Sequence, residues 1–127
     1  MGLRDSATID IIIDRPAFET EPCKLILMII DATSDLDDAT RLSMLINKLA
    51  AYLAYVGSPQ LPASHPGVKP EDVIVRVLTV MPPTAAMLKI DAVKSPDKSI
   101  RLPVFFSDYH QYMYLLKAGN RTPPSPN

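Results

Sequence analysis

Four aspartates lie just before the longest helical pattern in the chain, and grouped carboxylates are the ligands that Mg²⁺ and Ca²⁺ prefer. They are Asp31, Asp35, Asp37 and Asp38. Their spacing does not match a calcium-binding helix–loop–helix, because no glycine stands at its turn position and no glutamate closes the loop. The alternative is helix capping, in which Ser34 or Asp35 accepts from the first free N–H groups and the next aspartates favour the positive helix end. Capping accounts for every residue of the run, so we predict a helix cap and no metal site.

Arg76 is the other charged residue whose position suggests chemistry, because it is flanked by valines in a predicted strand. A guanidinium group at this place could clamp an anionic ligand. An arginine within a strand more often pairs with an acid on a neighbouring strand, and Asp10, Asp14 or Asp31 could supply that acid. We therefore expect Arg76 to form a cross-strand ion pair.

The histidines and the cysteine give no recognisable reactive arrangement. His65, His110 and Cys23 are far apart in sequence and do not have zinc-ligand spacing. Cys23 would need a partnered histidine to act as a nucleophile, and none lies near it, so we expect it to pack as an inert side chain. The four glycines form neither a phosphate-binding loop nor a dinucleotide fingerprint. We predict no cofactor.

Composition limits the classes of function. The 127 residues are enough for one domain with a real core. The net charge is −1 and the 13 basic residues are scattered, whereas nucleic-acid binding needs a basic stripe, so we predict no nucleic-acid partner. One cysteine excludes an internal disulfide and suits a reducing compartment. Charged N-terminal residues do not fit a signal peptide, and the apolar run 25–30 is too short to span a bilayer, so we expect a cytoplasmic protein and no membrane partner.

Hydrophobic periodicity predicts an α+β fold with a mixed four-stranded sheet. The predicted order is ββαβα, then a strand and a C-terminal helical segment, with the helices mainly on one face. The predicted elements are strands 8–14, 24–31, 72–80 and 99–107 and helices 41–56, 81–95 and 108–119. Pro103 favours an edge position for the last strand. We expect residues 1–119 to form a single domain and residues 120–127 a flexible, proline-rich tail.

The first helix shows the clearest pattern. Its apolar stripe follows three- and four-residue spacing and consists of Leu42, Leu45, Ile46, Leu49, Leu53 and Val56. Arg41, Asn47 and Lys48 fall outside this stripe, so we expect them to face away from the core.

The predicted sheet is apolar on both faces. If Ile9, Ile11 and Ile13 face the helices, the opposite face still carries apolar side chains, and leaving it in water would forgo roughly 10 kcal/mol. Either the C-terminal segment or a second copy of the chain should cover it, and we predict a twofold dimer to which that segment contributes. The resulting candidates for an interaction surface are Ile12, Met28, Ile74, Phe105, Tyr109, Tyr112, Met113 and Leu116.

The tyrosine-rich segment within that set has two interpretations. It could stack a flat ligand or contact a partner protein. The helical spacing of Tyr109, Tyr112, Met113 and Leu116 instead favours a packing stripe, which is the interpretation we prefer.

Residues 9–92 resemble a family of small bacterial proteins of unknown function. The similarity lies in "ID" in the first strand, "LILMIID" in the second and the acidic "DLDD" before the helix. It continues in "LSMLINKLAAYLAYVGSPQ" and "VIVRVLTVMPP". The chain departs from the pattern in its proline-rich loop, and nothing from Lys94 onward resembles the family. The resemblance implies a fold and a bacterial setting and assigns no catalytic residue.

Two functional hypotheses follow. The first is a non-enzymatic protein-interaction or regulatory module that acts as a homodimer and binds a protein partner. The second is a small-molecule binding protein or hydrolase in which Asp31, Asp37, Arg76 and His110 converge at a sheet edge. The second predicts a concave site with displaced pKa values.

Overall fold

A computed structural model describes residues 11–32 and 36–120, without the side chains of the last two. The predicted α+β class is confirmed, with five strands where four were expected. The strands are β1 Ile11–Asp14, β2 Leu25–Asp31, β3 Val73–Thr79, β4 Ala92–Lys94 and β5 Arg101–Asp108. The helices are α1 Asp38–Val56, α2 Gln60–Ser64, α3 Ala85–Leu88 and α4 Tyr109–Asn120, with a 3₁₀ turn at Pro70–Asp72. Most of the predicted tail, residues 121–127, and the first residues of the predicted first strand lie outside the described residues.

The strand order in the sheet is β1-β2-β3-β5-β4. The three central strands run parallel, and each edge strand is antiparallel to its neighbour. Parallel neighbours need a crossover, and α1 lies in the connection between β2 and β3. The first two strands, β1 and β2, form an antiparallel hairpin.

The predicted helix over 81–95 is wrong in most of its length. Thr84 caps the single turn of α3 by accepting a hydrogen bond from the Met87 N–H at 3.1 Å. The chain then extends as β4, because Ala92 and Val93 pair with β5. The edge position expected for Pro103 is also wrong. Pro103 ends the pairing of β5 with β4, and the pairing with β3 begins at the next residue, so its missing N–H falls where β5 changes partner.

The first face of the sheet packs against α1, α2 and α3. Its buried cluster contains alternate residues of β2 and β3 together with Leu45, Leu49 and Tyr52 of α1. The predicted orientation of α1 is partly wrong, because Arg41 and Lys48 are buried whereas Ile46 is 49% exposed. The helix is rotated so that Arg41 points inward. A buried charge is tolerated where it has an ion-pair partner.

The second face packs against α4. Its buried cluster consists of Ile26, Met28, Ile74, Leu78 and Tyr112, and the partly buried residues around it include Ile11, Ile13, Phe105, Tyr109, Met113 and Leu116. The C-terminal segment of the same chain therefore covers this face, which is the first of the two coverings considered from the sequence.

The side assigned to β1 is wrong. Ile12 packs against the first cluster, whereas Ile11 and Ile13 pack against the second. The register explains this, because Ile12 lies opposite Leu27 of the first cluster and Ile11 opposite Met28 of the second. Residues directly opposite one another in a pair of strands point to the same side of the sheet.

Candidate functional site

The connector between β1 and β2 carries a buried glutamate. The backbone N–H of Arg15 donates to the Lys24 carbonyl at 3.1 Å, which closes the base of the connector. The Arg15 guanidinium donates to the carbonyl oxygens of Glu19 at 2.6 Å and Glu21 at 3.0 Å. These bonds fold the connector back, and the Glu19 side chain is fully buried.

Arg76 is the partner of this carboxylate. It lies in the middle of β3, is 6% exposed, and forms a hydrogen-bonded ion pair through its Nη2 with Glu19 Oε2. Its Nη1 donates to Ser107 Oγ at 3.0 Å. Its Nε is buried and donates to no atom of the described residues.

Aromatic rings complete the surroundings of the ion pair. The centroids of the Phe105 and Tyr112 rings lie 5.3 Å and 5.5 Å from the Arg76 guanidinium carbon, within the range of cation–π attraction. Tyr112 donates its O–H to Glu19 Oε1 at 2.8 Å, which links α4 to the connector. The Phe18 and Tyr112 rings pack edge-to-face, with 5.0 Å between their centroids.

The protonation states of the acid and the phenol follow from these contacts. Burial disfavours the ionised form of Glu19. The hydrogen bonds from the Glu21 backbone and from Tyr112, with the charge of Arg76, outweigh burial and lower the pKa of Glu19. The pKa of Tyr112 is raised far above its ordinary value. Burial is the largest cause, and the hydrogen bond to Glu19 is the next. Burial and the nearby Glu19 charge also raise the pKa of the Cys23 thiol, which opposes activation of that residue as a nucleophile.

An open cavity of about 330 Å³ borders this network. Its apolar lining residues are Phe18 and Leu115, and its polar lining residues are Glu19, Thr20, Arg76, Ser107, Asp108, Gln111 and Tyr112. Two carboxylates and one guanidinium therefore border the same space. This combination of a fixed ion pair, hydroxyl and amide groups and an apolar wall is typical of sites that bind small molecules.

The predicted sheet-edge site is not formed. Asp31 packs on the α1 side of the sheet, whereas Arg76 points to the α4 side. His110 is exposed, and Asp37 is exposed at the start of α1. The acid predicted for Arg76 is also wrong, because Glu19 of the connector pairs with it and not Asp14 or Asp31. Asp10, the third acid considered, lies outside the described residues.

Asp31 has a structural partner. It accepts hydrogen bonds from Arg41 Nη2 at 2.7 Å and from Arg41 Nε at 3.2 Å. Arg41 also donates to the Pro82 carbonyl at 3.1 Å. The buried pair thus ties α1 to the end of β2 and to the loop after β3.

The other aspartates lie at the start of α1. Asp37 is the N-cap and accepts from the Thr40 N–H at 2.7 Å, and the hydrogen bonds with Thr40 lower the pKa of Asp37. Asp38 is exposed in the first turn. Ser34 and Asp35, the caps expected from the sequence, lie outside the described residues. In the described part of the chain, no three His, Cys, Asp or Glu side chains are grouped to hold a metal ion.

Two residues of the hydrogen-bonded network around Arg76 were missed from the sequence. Glu19 was treated as part of a connector, and Ser107 as the end of a strand. The signal for Glu19 was an acid beside an aromatic residue, Phe18, in a segment bounded by prolines. The contact of Ser107 with Arg76 depends on the register of β3 and β5. In that register Val104 pairs with Val75, and Ser107 follows Val104 by three residues.

A second cavity lies near the C-terminal end of β3. Its volume is about 350 Å³, and its wall is mainly apolar. We call the apolar side chains at its mouth the loop patch, which consists of Val80, Met81, Pro82, Pro83 and Leu88. Four of these residues line the cavity, and Met81 adjoins them in sequence. Leu88 is 56% exposed and Met81 is 44% exposed.

Within the described residues, no helix combines the length and the apolar character needed to cross a membrane. The sequence matches a family of unknown function, DUF6572, over residues 1–103, and the chain belongs to this family. The resemblance of residues 9–92 to a family of unknown function is thereby confirmed. The expectation that it stops before Lys94 is wrong, because the match continues to residue 103. No curated protein and no solved structure matches the chain. The family match includes Glu19 and Arg76 and ends before Ser107 and α4, which form the other side of the cavity.

Proposed function

We propose that this DUF6572 protein binds a small molecule in the cavity beside Glu19, Arg76 and Tyr112. The observation that carries the proposal is a buried ion pair at the wall of an open cavity, with one donor of the arginine unsatisfied. The proposal develops one of the two hypotheses drawn from the sequence, at a different place in the fold.

Stability alone is a weak explanation for this arrangement. Buried ion pairs are often no more stabilising than apolar residues of similar volume, because desolvation offsets the attraction. The unsatisfied Nε costs a further 1–3 kcal/mol, roughly, since a buried donor has lost its water without gaining an acceptor. Polar groups placed against the stability of the fold concentrate at functional sites, which supports a binding role for this cluster.

The same groups favour binding over catalysis. Glu19 is held ionised and both of its oxygens already accept hydrogen bonds, so it is a poor general acid or base. The raised pKa of Tyr112 keeps its phenol protonated near neutral pH. These fixed groups suit recognition of a ligand better than proton transfer.

A fragment screen on the full chain tests the proposal. Backbone amide chemical shifts are followed by NMR while small polar and aromatic fragments are added. Hits should shift the amides of Thr20, Ser107 and Gln111, which line the cavity. The variant Leu115→Trp should abolish these shifts, because the indole occupies the cavity mouth.

Lys117→Trp is the matched control, since Lys117 is an exposed residue two positions along α4 that does not line the cavity. It should leave the shifts unchanged. Absence of hits at the cavity, or hits that survive Leu115→Trp, would contradict the proposal.

A second candidate function is a homodimeric interaction module that uses the loop patch. The supporting observation is that exposed apolar side chains surround an apolar cavity. The loop is also held in place by the hydrogen bond from Arg41 to Pro82, so the patch is presented in one conformation. Exposed apolar groups gathered in this way favour an interface.

Size-exclusion chromatography with light scattering tests the second candidate. The wild type should elute with the mass of a dimer and Leu88→Asp with that of a monomer, because the charge cannot be buried in an apolar interface. Tyr114→Asp is the control, since Tyr114 is exposed on α4 outside the loop patch. A monomeric wild type across the accessible protein concentrations rules out this homodimer.

A further inference from the structure

The wall of the cavity formed by β3 and β5 offers hydrogen-bond donors. Ser107 Oγ accepts from Arg76 Nη1, and its hydroxyl lines the cavity, where it can donate to a ligand. Arg76 Nε is a second donor without an acceptor. Because Nε is enclosed and Ser107 lines the open space, a ligand in the cavity would meet the hydroxyl of Ser107. Neighbouring donors of this kind call for an acceptor atom on the ligand.

The charges of the lining oppose a negative ligand. Glu19 compensates Arg76, and the carboxylate of Asp108 leaves the described lining with a surplus of one negative charge. Near a protein surface, one unit charge that lies a few ångströms from a charged ligand changes the affinity for that ligand by about tenfold or more. The acceptor atom on the ligand should therefore carry no formal charge.

The remaining wall and the size of the cavity restrict the ligand further. Phe18 and Leu115 provide apolar contact in the same cavity as the polar groups. The volume of about 330 Å³ lies at the small end of the range for small-molecule sites. The space suits a single ring or a body of similar size.

We propose that the cavity binds an uncharged carbonyl compound with a ring-sized apolar body. The carbonyl oxygen of the ligand accepts a hydrogen bond from the Ser107 hydroxyl, next to Arg76. The apolar body of the ligand packs against Phe18 and Leu115. The charge of Asp108 disfavours anionic ligands. This assignment rests on the proposed binding function and specifies the ligand class for the same site.

Three probes of nearly equal shape separate the contributions of charge and acceptor. Benzamide is uncharged and has a carbonyl oxygen, benzoate carries a negative charge, and benzamidine carries a positive charge and has no carbonyl. Each is titrated into the full chain at neutral pH while the amide shifts of Thr20, Ser107 and Gln111 are followed. Benzamide should bind about tenfold more tightly than benzoate. It should also bind more tightly than benzamidine, because benzamidine is attracted by Asp108 but offers no acceptor atom and would place its own positive charge beside the Arg76 guanidinium.

Asp108→Asn isolates the charge. Asp108 accepts the Gln111 N–H at 2.9 Å at the start of α4, and asparagine can accept the same bond, so the helix start is retained. In this variant the preference for benzamide over benzoate should fall several-fold, since the repelling charge is gone.

Failure of the ligand class and failure of the binding function give different results. If benzoate or benzamidine binds at least as tightly as benzamide, or if Asp108→Asn leaves the preference unchanged, the ligand class is overturned and the site stands. If other fragments bind at the cavity and none of the three probes does, the ligand class is again overturned alone. If nothing binds there, both proposals are overturned.

Discussion

The ion pair of Glu19 and Arg76 sets the chemistry of the site at the scale of single residues. Removal of one member of a buried pair leaves the other charge without compensation, and this loss exceeds what the pair contributes as a unit. Glu19→Gln should therefore lower the free energy of unfolding by about 3 kcal/mol at neutral pH, as measured by urea denaturation. Glu71→Gln, at an exposed position, should change it by less than about 0.5 kcal/mol. A loss of similar size in both variants would contradict a special role for the pair.

The pH dependence of stability follows from the lowered pKa of Glu19. Its folded pKa lies below that of the unfolded chain, so its contribution is fully present above the ordinary glutamate pKa, about 4.3. The contribution is lost as the pH falls through the lower, folded value. The stability difference between wild type and Glu19→Gln should therefore be constant from neutral pH down to about 5 and shrink under more acidic conditions. A difference that stays constant throughout acid titration would be inconsistent with a lowered pKa.

The cap of α1 decides between structure and metal binding at the scale of elements. Asp37→Ala removes the acceptor for the Thr40 N–H and should lower the free energy of unfolding, because α1 loses its N-cap hydrogen bond. Asp38→Ala, in the same turn, removes a favourable charge without removing the cap and should have a smaller effect, about 0.3–1 kcal/mol. Thermal unfolding with and without MgCl₂ is the second measurement. A midpoint raised by Mg²⁺ in the wild type, and not in Asp37→Ala, would contradict a pure capping role.

Local sequence patterns predict some of these elements and not others. The spacing of Leu45, Leu49 and Val56 was sufficient to locate α1, because a long helix repeats its signal over several turns. The burial of Arg41 was not predictable, since it depends on Asp31 at the end of another strand. β4 was missed because three residues carry too little periodicity and are extended only by pairing with β5.

The candidate site was predicted only in part, for the same reason. Arg76 stood out as a charge within an apolar strand, and the expectation of an ion pair was correct in kind. Its partner Glu19, its acceptor Ser107 and the Tyr112 hydroxyl come from three other segments of the chain. Only the tertiary fold brings these segments together, so no local pattern could identify the site.

The whole molecule depends on one sheet that serves two cores. Leu27 and Met28 are neighbours on β2, both fully buried, and they point into the first and second clusters respectively. Leu27→Ala and Met28→Ala should each lower the free energy of unfolding by about 2–5 kcal/mol, because each leaves a cavity in a packed core. Urea unfolding is followed by far-UV circular dichroism, which reports all helices, and by tyrosine fluorescence, to which Tyr112 of α4 contributes. The two signals should change together in both variants, because loss of either cluster removes one wall of the shared sheet. A separate early tyrosine transition in Met28→Ala would instead mean that α4 detaches while the first core stays folded, and the cavity would then belong to a cover that opens independently of the domain.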